Sequence, residues 1–531
     1  MILGKLLIGG EWQLGEAGHF NAVNPATGDT LPVQYSKASA EQISAAASAA
    51  NIAFASYRNT SLKDRAGFLN ACADEIMALG DELLECMQSE TGYPRGRCEG
   101  ERGRTVGQLR MFADYIQSGD HLDPRIDMAR PDRQPLPRPD LRFLNQALGV
   151  VAVFAVSNFP LAYSTAGGDS ASALAAGCPV IVKGHVSHPG TGELVAQALA
   201  IAAQKTGMPG GVISFVQGDD KIGGAALINA PEVKAIGFTG SIGGGTAIYR
   251  MAALRPEPIP VFAEMGSINP VVFLPETLAQ SAEQLATGFV GSLTLGSGQF
   301  CVNPGLLIAL EEDGLQRFMD TVKTTLETAP AGVMLNQNIC NSYQRGNGTF
   351  ANHPAMELIA EGQVAVQAEG FYAQAKLYST SAENYLANPE LSEEVFGPTS
   401  VLVVCKTIDE IHQVISSLGG QLTGTVHGTE NELTDNAMLL QLLGQKAGRL
   451  VINGFPTGVE VCPTMVHGGP YPASTDARFT AVGTAAIKRF VRPVCYQNFP
   501  QALLPEALQN ANPLDILRTV DGEKTKTTIS T

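Results

Sequence analysis

The spacing of apolar residues along the chain changes near residue 149. Before that point, apolar positions recur at helical intervals, which predicts helices over residues 38–56, 61–79, 81–91 and 98–118. Beyond it, short continuous apolar runs alternate with helical segments, beginning with the run 150–156. Continuous runs of this kind are typical of strands that are buried on both faces of a parallel sheet. The pattern therefore predicts an α/β protein with a doubly wound sheet of the nucleotide-binding type.

A glycine-rich turn follows the last strand of this first pattern. Further strands are predicted over 179–183, 212–216 and 233–238, and residues 239–245 form the turn before the next helix. Glycines let a backbone approach a phosphate group, and a helix N-terminus favours negative charge. The turn lacks the G-x-G-x-x-G spacing and the acidic residue expected about 20 positions later. By itself it fits a phosphate site or an ordinary helix cap.

A second α/β pattern follows Pro260 and surrounds a cysteine. Its predicted strands and helices cover residues 261–263, 270–273, 281–294, 306–310, 316–327 and 450–453. The helix over 281–294 leads to Cys301, which follows small residues and precedes Asn-Pro. This composition predicts an open turn, where a thiolate can be stabilised and act as a nucleophile. The alternative is that Cys301, one of nine cysteines, only fills apolar space.

Three segments lie outside these two patterns, and each predicts a structure of its own. Residues 121–141 are rich in Pro, Asp and Arg without sustained periodicity, which indicates an exposed connection or a hairpin arm. Residues 487–499 alternate in polarity and predict an edge strand that pairs with another subunit. The first 15 residues predict a strand pair rather than a signal peptide, because Gly-Gly interrupts the apolar run and no cleavage site of small residues follows.

The length, net charge and cysteine content of the chain limit the classes of protein to which it can belong. A chain of 531 residues suggests two or three domains. The net charge of −16 and the lack of a basic run argue against nucleic acid and membrane partners, and no apolar run reaches the roughly 20 residues of a membrane span. The nine cysteines form no C-x-x-C pair, so we expect a reduced cytoplasmic protein with no disulfides and no metal.

Six short motifs connect the two α/β patterns. They occupy residues 157–160 (SNFP), 183–184 (KG), 238–241 (FTGS), 264–266 (EMG), 299–301 (QFC) and 394–398 (EVFGP). Their order and approximate spacing resemble the aldehyde dehydrogenase superfamily over essentially the whole chain. Within that superfamily, the segments 183–190, 255–260 and 492–500 are most similar to the 2,5-dioxopentanoate (α-ketoglutarate semialdehyde) dehydrogenases.

The resemblance implies an aldehyde dehydrogenase-like α/β fold with three parts and a tail. A Rossmann-type NAD(P)-binding domain would comprise residues 1–120 and 142–262, and an α/β catalytic domain would comprise residues 263–475. Residues 121–141 and 484–500 would form a small β oligomerisation arm, and residues 501–531 a C-terminal tail. An arm of this kind implies a homodimer or a homotetramer.

The resemblance also implies the catalytic residues. Cys301 would add to the aldehyde carbonyl, and the Asn158 side chain with the Cys301 backbone N–H would form the oxyanion hole. Hydride transfer to a nicotinamide ring would leave a thioester, and Glu264, in apolar surroundings, would be the general base for its hydrolysis. The alternatives are that Asn158 is a turn residue before Phe-Pro and that Glu264 pairs with a buried lysine.

The cofactor contacts follow from the same motifs. Lys183 would bond the adenosine ribose, Glu394 would hold the nicotinamide ribose, and Phe396 would pack beside that ribose. The pyrophosphate would lie against Gly240, Ser241 and Gly245. NAD-preferring members often carry a glutamate three residues after the lysine, where this chain has Val186. We therefore expect a preference for NADP, with NAD accepted and the 2′-phosphate beside Lys221, His185 and Ser187.

The substrate residues are the least constrained part of the sequence. Arg104, on the predicted helix 98–118, could hold the carboxylate of an oxo-acid semialdehyde; a solvated arginine or an intersubunit salt bridge is the alternative. Phe159, Phe455 and Pro463 would shape an apolar wall. The expected reaction is oxidation of 2,5-dioxopentanoate to 2-oxoglutarate. A broad-specificity NADP-dependent fatty or aromatic aldehyde dehydrogenase, a coenzyme A-acylating dehydrogenase and an inactive structural homologue remain as alternatives.

Overall fold

The first of two large sheets contains the strands predicted after residue 149. The computed structural model describes residues 1–218, 221–366 and 369–530. In spatial order, the strands of this first sheet are Val261–Glu264, Val233–Thr239, Val150–Phe154, Val180–Lys183, Ile213–Val216, Leu6–Ile8 and Glu11–Gln13. The first five are parallel, and the N-terminal hairpin adds antiparallel to Ile213–Val216. The predicted parallel sheet and the predicted N-terminal strand pair are both confirmed.

Helices cover both faces of the first sheet. They are Ala40–Tyr57, Leu62–Ala78, Gly80–Thr91, Arg95–Gln117, Gly168–Ala176, Pro189–Lys205, Lys221–Asn229 and Ile242–Ala253. Along one strand, Val151 and Val153 pack into one apolar cluster while Val150 and Ala152 pack into another on the opposite face. This double burial is why the strand appears in the sequence as a continuous apolar run.

The second large sheet is built from residues after 262. Its strands, in spatial order, are Glu357–Glu361, Lys376–Ser381, Thr399–Cys405, Leu306–Leu310, Pro270–Phe273, Gln421–His427 and Ala447–Ile452. All are parallel except Glu357–Glu361, which runs antiparallel to its neighbour. Its helices are Pro275–Thr294, Asp313–Leu326, Gln337–Asn352, Ala382–Ala387, Ile408–Ser417, Glu430–Asp435 and Ala437–Lys446. Both sheets therefore present the carboxyl ends of parallel strands, where ligands of α/β proteins bind.

A third, five-stranded sheet forms the arm. Its order is Val491–Gln497, Leu141–Ala147, Arg125–Asp127, Arg518–Val520 and Glu523–Thr525. Val491–Gln497 lies at one edge, as the alternating pattern predicted. The strand begins later than expected because residues Thr484–Phe490 form a 3₁₀ segment whose Ile487 and Phe490 pack against the core of the first sheet.

The arm also differs from the expected boundaries. Leu141–Ala147 falls almost entirely within the range assigned to the cofactor domain, and the presumed tail contributes two strands to the arm sheet. Two further antiparallel sheets of two strands each pair His19–Val23 with Thr30–Ser36 and Gly332–Val333 with Tyr372–Ala373. Over the described ranges, none of the helices combines the length and apolarity that a membrane crossing requires.

Candidate active site

The turn that carries Cys301 is fixed by glycines in the left-handed region. Gly296, Ser297 and Gly298 have φ values of 56°, 59° and 64°. A Cβ at Gly298 would overlap the backbone of Gly397 and Pro398, so glycine is required for both conformation and space. Cys301 itself is partly exposed, in the open turn that its sequence neighbours predicted.

Asn269 holds the backbone of this turn from behind. Its Nδ2 donates to the carbonyl oxygens of Cys301 and Asn303, each at 2.9 Å, and its Oδ1 accepts from Thr423 Oγ1 at 2.9 Å. Asn269 has a φ of 48°, a conformation that asparagine tolerates better than most residues. Sequence reasoning missed this residue, although an asparagine before proline next to the 264–266 motif was a signal for a special backbone position.

Asn158 lies beside the same turn. Its Nδ2 donates to the carbonyl oxygen of Gln299 at 2.9 Å, and its own carbonyl oxygen accepts from Tyr93 Oη at 3.0 Å and from Arg97 Nη2 at 2.9 Å. The Gln299 side chain in turn bonds the backbone of Val333 and Leu335. The predicted oxyanion-hole residue is therefore held close to Cys301 by hydrogen bonds on both of its sides.

Glu264, Cys301 and His467 form a compact cluster. Glu264 ends strand Val261–Glu264 and is 4% exposed, and its Oε1 lies 3.0 Å from His467 Nε2. The same His467 nitrogen lies 3.3 Å from Cys301 Sγ. His467 is 1% exposed, and its backbone N–H donates to Thr480 Oγ1 at 2.8 Å. No spacing in the sequence connects residue 467 with residues 264 and 301, so the histidine could not be predicted.

The surroundings of Cys301 keep its thiol protonated. Burial raises the pKa of Cys301 well above its ordinary value, and the negative charge and hydrogen bond of Glu264 raise the pKa further, while Arg104 opposes them. The expectation of a thiolate stabilised by the open turn is therefore wrong for the free enzyme. Desolvation and a neighbouring carboxylate outweigh the contribution of the turn.

Two arginines bring positive charge toward the sulfur. Arg104 donates from Nη2 to Tyr163 Oη at 3.3 Å, and its guanidinium lies 5.5 Å from the Phe159 ring centre. Its Nε is buried without a hydrogen-bond partner among the described residues. Arg449, which the sequence did not suggest, donates to the carbonyl oxygens of Gly458 and Pro456. Burial lowers the pKa of Arg449, whereas the charge of Cys301 raises it, which places Arg449 in the electrostatic environment of the sulfur.

The three residues expected to form an apolar wall lie in different places. Phe159 packs 5.6 Å from Phe300 and 5.4 Å from Tyr163, beside the cysteine turn. Pro463 is exposed in a turn. Phe455 is partly buried and packs against the core of the second sheet, with its ring 4.9 Å from that of His427 and 6.5 Å from that of Phe289.

The residues on either side of Pro463 make the apolar contacts that were expected of Pro463 itself. Val461 and Met465 flank the turn and pack in the same apolar cluster as Phe159 and Tyr163. Pro463 is at the exposed tip of the turn, whereas Val461 and Met465 on its flanks are partly buried. Arg97 completes this region, with its guanidinium 4.7 Å from the Phe300 ring centre.

A groove of about 580 Å³ brings together most of the predicted adenosine and phosphate residues. His185, Ser187, Gly240 and Ser241 all line it, together with Val186. Ser241 caps helix Ile242–Ala253 by accepting from Gly244 N at 3.2 Å. Gly245 is buried in that helix, where a Cβ would overlap the side chain of Met265. The groove thus lies at a helix N-terminus that packs closely on a neighbouring strand. This arrangement can bind the diphosphate group of a dinucleotide.

The other residues predicted to contact the cofactor are not among the described residues that line this groove. Lys183 Nζ donates to the carbonyl oxygen of Gly218 at 2.7 Å. Glu394 and Phe396 line a small cavity with Phe300, and burial raises the pKa of Glu394 to about 7. Burial also lowers the pKa of His185 well below its ordinary value, so this imidazole is neutral. The side chain of Lys221 lies outside the described residues.

Comparisons with known proteins agree with this architecture. A sequence model described as "Aldehyde dehydrogenase family" matches residues 12–488. The chain is 51% identical over 527 residues to alpha-ketoglutaric semialdehyde dehydrogenase 2 of Azospirillum brasilense, with 98% of this chain and 99% of the relative covered. It is 44% identical over 524 residues to alpha-ketoglutaric semialdehyde dehydrogenase of Acinetobacter baylyi, with coverage of 98% and 99%.

A solved structure shows the same fold at low sequence identity. Betaine aldehyde dehydrogenase from Staphylococcus aureus, in complex with NAD⁺, superposes with a TM-score of 0.80 at 19% identity, covering 93% of this chain and 95% of that one. The match of the family model over most of the chain confirms the family that the six motifs predicted. The chain therefore belongs to the aldehyde dehydrogenase family and is an oxidoreductase that acts on aldehydes with NAD or NADP.

Proposed function

We propose that the protein oxidises 2,5-dioxopentanoate to 2-oxoglutarate and prefers NADP while accepting NAD. One observation above the others supports the reaction type: a cysteine thiol contacts a buried histidine that also contacts a buried carboxylate, and Asn158 bonds the same turn. The substrate is supported by the names of the two relatives that match nearly the whole chain.

Glu264 starts the proposed reaction as a base. The Cys301 sulfur lies within 4.8 Å of the Glu264 carboxylate, which takes the thiol proton when an aldehyde is in place. His467 Nε2 lies within hydrogen-bond distance of both groups and donates to the resulting thiolate or to the carboxylate. Because the thiol is neutral until substrate arrives, the resting enzyme is protected from unwanted alkylation and oxidation.

The thiolate of Cys301 then adds to the aldehyde carbonyl. The negative charge on the former carbonyl oxygen is stabilised by the Asn158 amide and the Cys301 backbone N–H, and one donor of this type contributes about 3 kcal/mol. The oxidised cofactor supplies the acceptor for the hydride that leaves as the oxyanion collapses. Glu264 then releases the thiol proton to solvent, so that its carboxylate can take a proton from water. The oxygen of that water attacks the thioester and releases the carboxylic acid and the thiolate, which regains a proton from Glu264.

Arg104 supports an oxo-acid substrate. Its guanidinium is partly buried against Phe159 and Tyr163, and its charge acts on the Cys301 sulfur. A carboxylate at the far end of a short semialdehyde would form charge-assisted hydrogen bonds with this group. Arg449 adds a second positive charge near the same sulfur and holds the backbone that leads to Val461.

The shape of the groove supports NADP. Val186 lines it where a carboxylate would repel a 2′-phosphate, and the Ser187 hydroxyl accepts from Asn336 Nδ2 at 2.9 Å and can donate its own proton. His185 is neutral and Ser187 is uncharged, so both would only hydrogen-bond a phosphate, whereas Lys221 would add a positive charge. The edge strand Val491–Gln497 supports a homodimer or homotetramer, which sedimentation velocity would test.

Measurement of kcat/KM for several aldehydes tests the proposed substrate. We expect kcat/KM, followed as reduced-cofactor absorbance, to be highest with 2,5-dioxopentanoate and NADP, lower with hexanal or benzaldehyde, and independent of coenzyme A. Arg104→Gln should lower kcat/KM for 2,5-dioxopentanoate about 30-fold or more, because a charge-assisted pair contributes roughly 2–3 kcal/mol. Its effect on hexanal should be much smaller.

Arg110→Gln is the matched control. Arg110 lies on the same helix and pairs with Asp74 at the surface, so its replacement should leave both aldehydes unaffected. Equal losses on the acidic and the uncharged aldehyde in Arg104→Gln would reject the carboxylate contact. Faster turnover of hexanal than of 2,5-dioxopentanoate by the parent enzyme would reject the substrate itself.

A further inference from the structure

The nucleophile, base and histidine also present a ligand set for a metal ion. One ligand atom from each of Glu264, Cys301 and His467 lies within 4.8 Å of the other two. A thiolate, an imidazole nitrogen and a carboxylate oxygen are the three donor types that proteins use for Zn²⁺. Glu264 and His467 are buried, and Cys301 is partly exposed.

The spacing suits a tetrahedral ion after small side-chain shifts. With bond lengths of about 2.0–2.3 Å, tetrahedral ligand atoms lie about 3.3–3.6 Å apart. His467 Nε2 lies 3.3 Å from the Cys301 sulfur and 3.0 Å from Glu264 Oε1. An ion would therefore require His467 Nε2 to move a few tenths of an ångström away from both the sulfur and Oε1, a displacement of the size that side-chain rotation provides.

The charges of the three ligands favour a dication, although Arg104 and Arg449 bring positive charge toward the sulfur. Among the described residues, no lysine or arginine nitrogen lies within 4.0 Å of the buried Glu264 carboxylate, and His467 is its neighbour. A thiolate and a carboxylate together carry two negative charges, which one Zn²⁺ would balance. Three protein ligands leave the fourth position for water, as in sites that bind zinc reversibly and remain accessible.

We propose that Zn²⁺ binds across Cys301, His467 and Glu264 and inhibits the enzyme reversibly by competing with the aldehyde for the sulfur. Binding forms a Zn–S bond and releases the thiol proton to solvent, with no change in oxidation state. The inhibition rests on Cys301 being the nucleophile, but zinc binding does not depend on the identity of the aldehyde. The free zinc concentration would then set the fraction of active enzyme.

Zinc binding is measured in the absence of substrate, on full-length protein from which a chelator has removed bound metal ions. We expect one tightly bound zinc per chain after equilibration in a metal buffer and gel filtration, quantified with a chromogenic chelator. Added Zn²⁺ should raise the apparent KM for the aldehyde, and EDTA should restore activity. Co²⁺ in place of zinc should give a thiolate-to-metal charge-transfer band that is absent in Cys301→Ser.

Matched variants locate the site. Cys301→Ser and His467→Phe should each lose the tight zinc, whereas Cys462→Ser and Cys495→Ser, which alter cysteines accessible to solvent, should retain it. Melting curves of the apo variants confirm that each protein is folded before zinc is measured. Retention of the zinc in either Cys301→Ser or His467→Phe, or its loss in Cys462→Ser or Cys495→Ser, would overturn the proposal. Absence of binding at micromolar free Zn²⁺ would do the same.

Discussion

Replacement of His467 tests how the thiol and the carboxylate are coupled. Its Nε2 lies 3.3 Å from Cys301 Sγ and 3.0 Å from Glu264 Oε1, in surroundings closed to solvent. A hydrogen bond from a buried donor to a charged group contributes about 1.5–3 kcal/mol. Because about 1.4 kcal/mol corresponds to a factor of ten in rate, we expect His467→Phe to slow formation of the thioester about 10- to 150-fold.

The assay separates the two halves of the reaction. Rapid mixing of enzyme, cofactor and aldehyde gives a first burst of reduced cofactor, which reports attack and hydride transfer, and then a steady rate. His467→Phe should slow the burst, because the thiolate loses its hydrogen-bond donor. His467→Gln keeps an N–H that can donate and should recover part of the rate, which an effect of packing alone would not produce.

A normal burst in His467→Phe would refute the role of His467 in stabilising the thiolate. If the burst in His467→Phe stays within about twofold of the parent, the histidine does not stabilise the thiolate, since the smallest expected contribution is about tenfold. A melting temperature equal to that of the parent would show that the comparison is not affected by unfolding. If His467→Gln and His467→Phe are slowed equally, the shape of the imidazole matters rather than its donor.

Three further predictions follow from the site. Glu264→Gln should make Cys301 react faster with iodoacetamide at pH 7.5, because removal of the carboxylate charge lowers the pKa of the thiol; a slower reaction would contradict the stated cause of the raised pKa. The KM for NAD should rise as pH falls below about 7, where the Glu394 carboxylate gains a proton, and this dependence should disappear in Glu394→Gln. Gly298→Ala should lower the free energy of unfolding by about 2 kcal/mol or more, because residue 298 has a positive φ and a Cβ there would overlap neighbouring backbone. Gly291→Ala is the control: this helical glycine has open space around it, so the change should be neutral or stabilising. Equal effects of the two substitutions in thermal unfolding would refute the steric argument.

The elements predicted from the sequence are those with a strong local signal. Helix Ala40–Tyr57 begins one residue after Ser39, whose side chain forms a capping box with Gln42. Strands such as Val150–Phe154 are continuous apolar runs because helices cover both of their faces. Cys301, Glu264 and Asn158 could be proposed because each lies in a short motif whose order along the chain is characteristic of the family.

The unpredicted residues depend on contacts between distant segments. His467 reaches Glu264 and Cys301 from a loop more than 160 positions later in the chain, as the sequence separation of 166 to Cys301 shows. Arg449 lies on the last strand of the second sheet, and its position near the sulfur depends on how that sheet packs. The raised pKa of Cys301 likewise depends on burial, which a turn composition does not reveal.

Peptide mass spectrometry of Glu264→Gln tests the central claim, that Cys301 forms a thioester which Glu264 helps to hydrolyse. The variant is mixed with 2,5-dioxopentanoate and NADP, quenched in acid, digested and mapped. We predict one equivalent of reduced cofactor per active site, an acyl group on the peptide that contains Cys301, and very slow further turnover. Acylation of a different cysteine, or steady turnover at the parent rate with no acyl group on Cys301, would contradict the account.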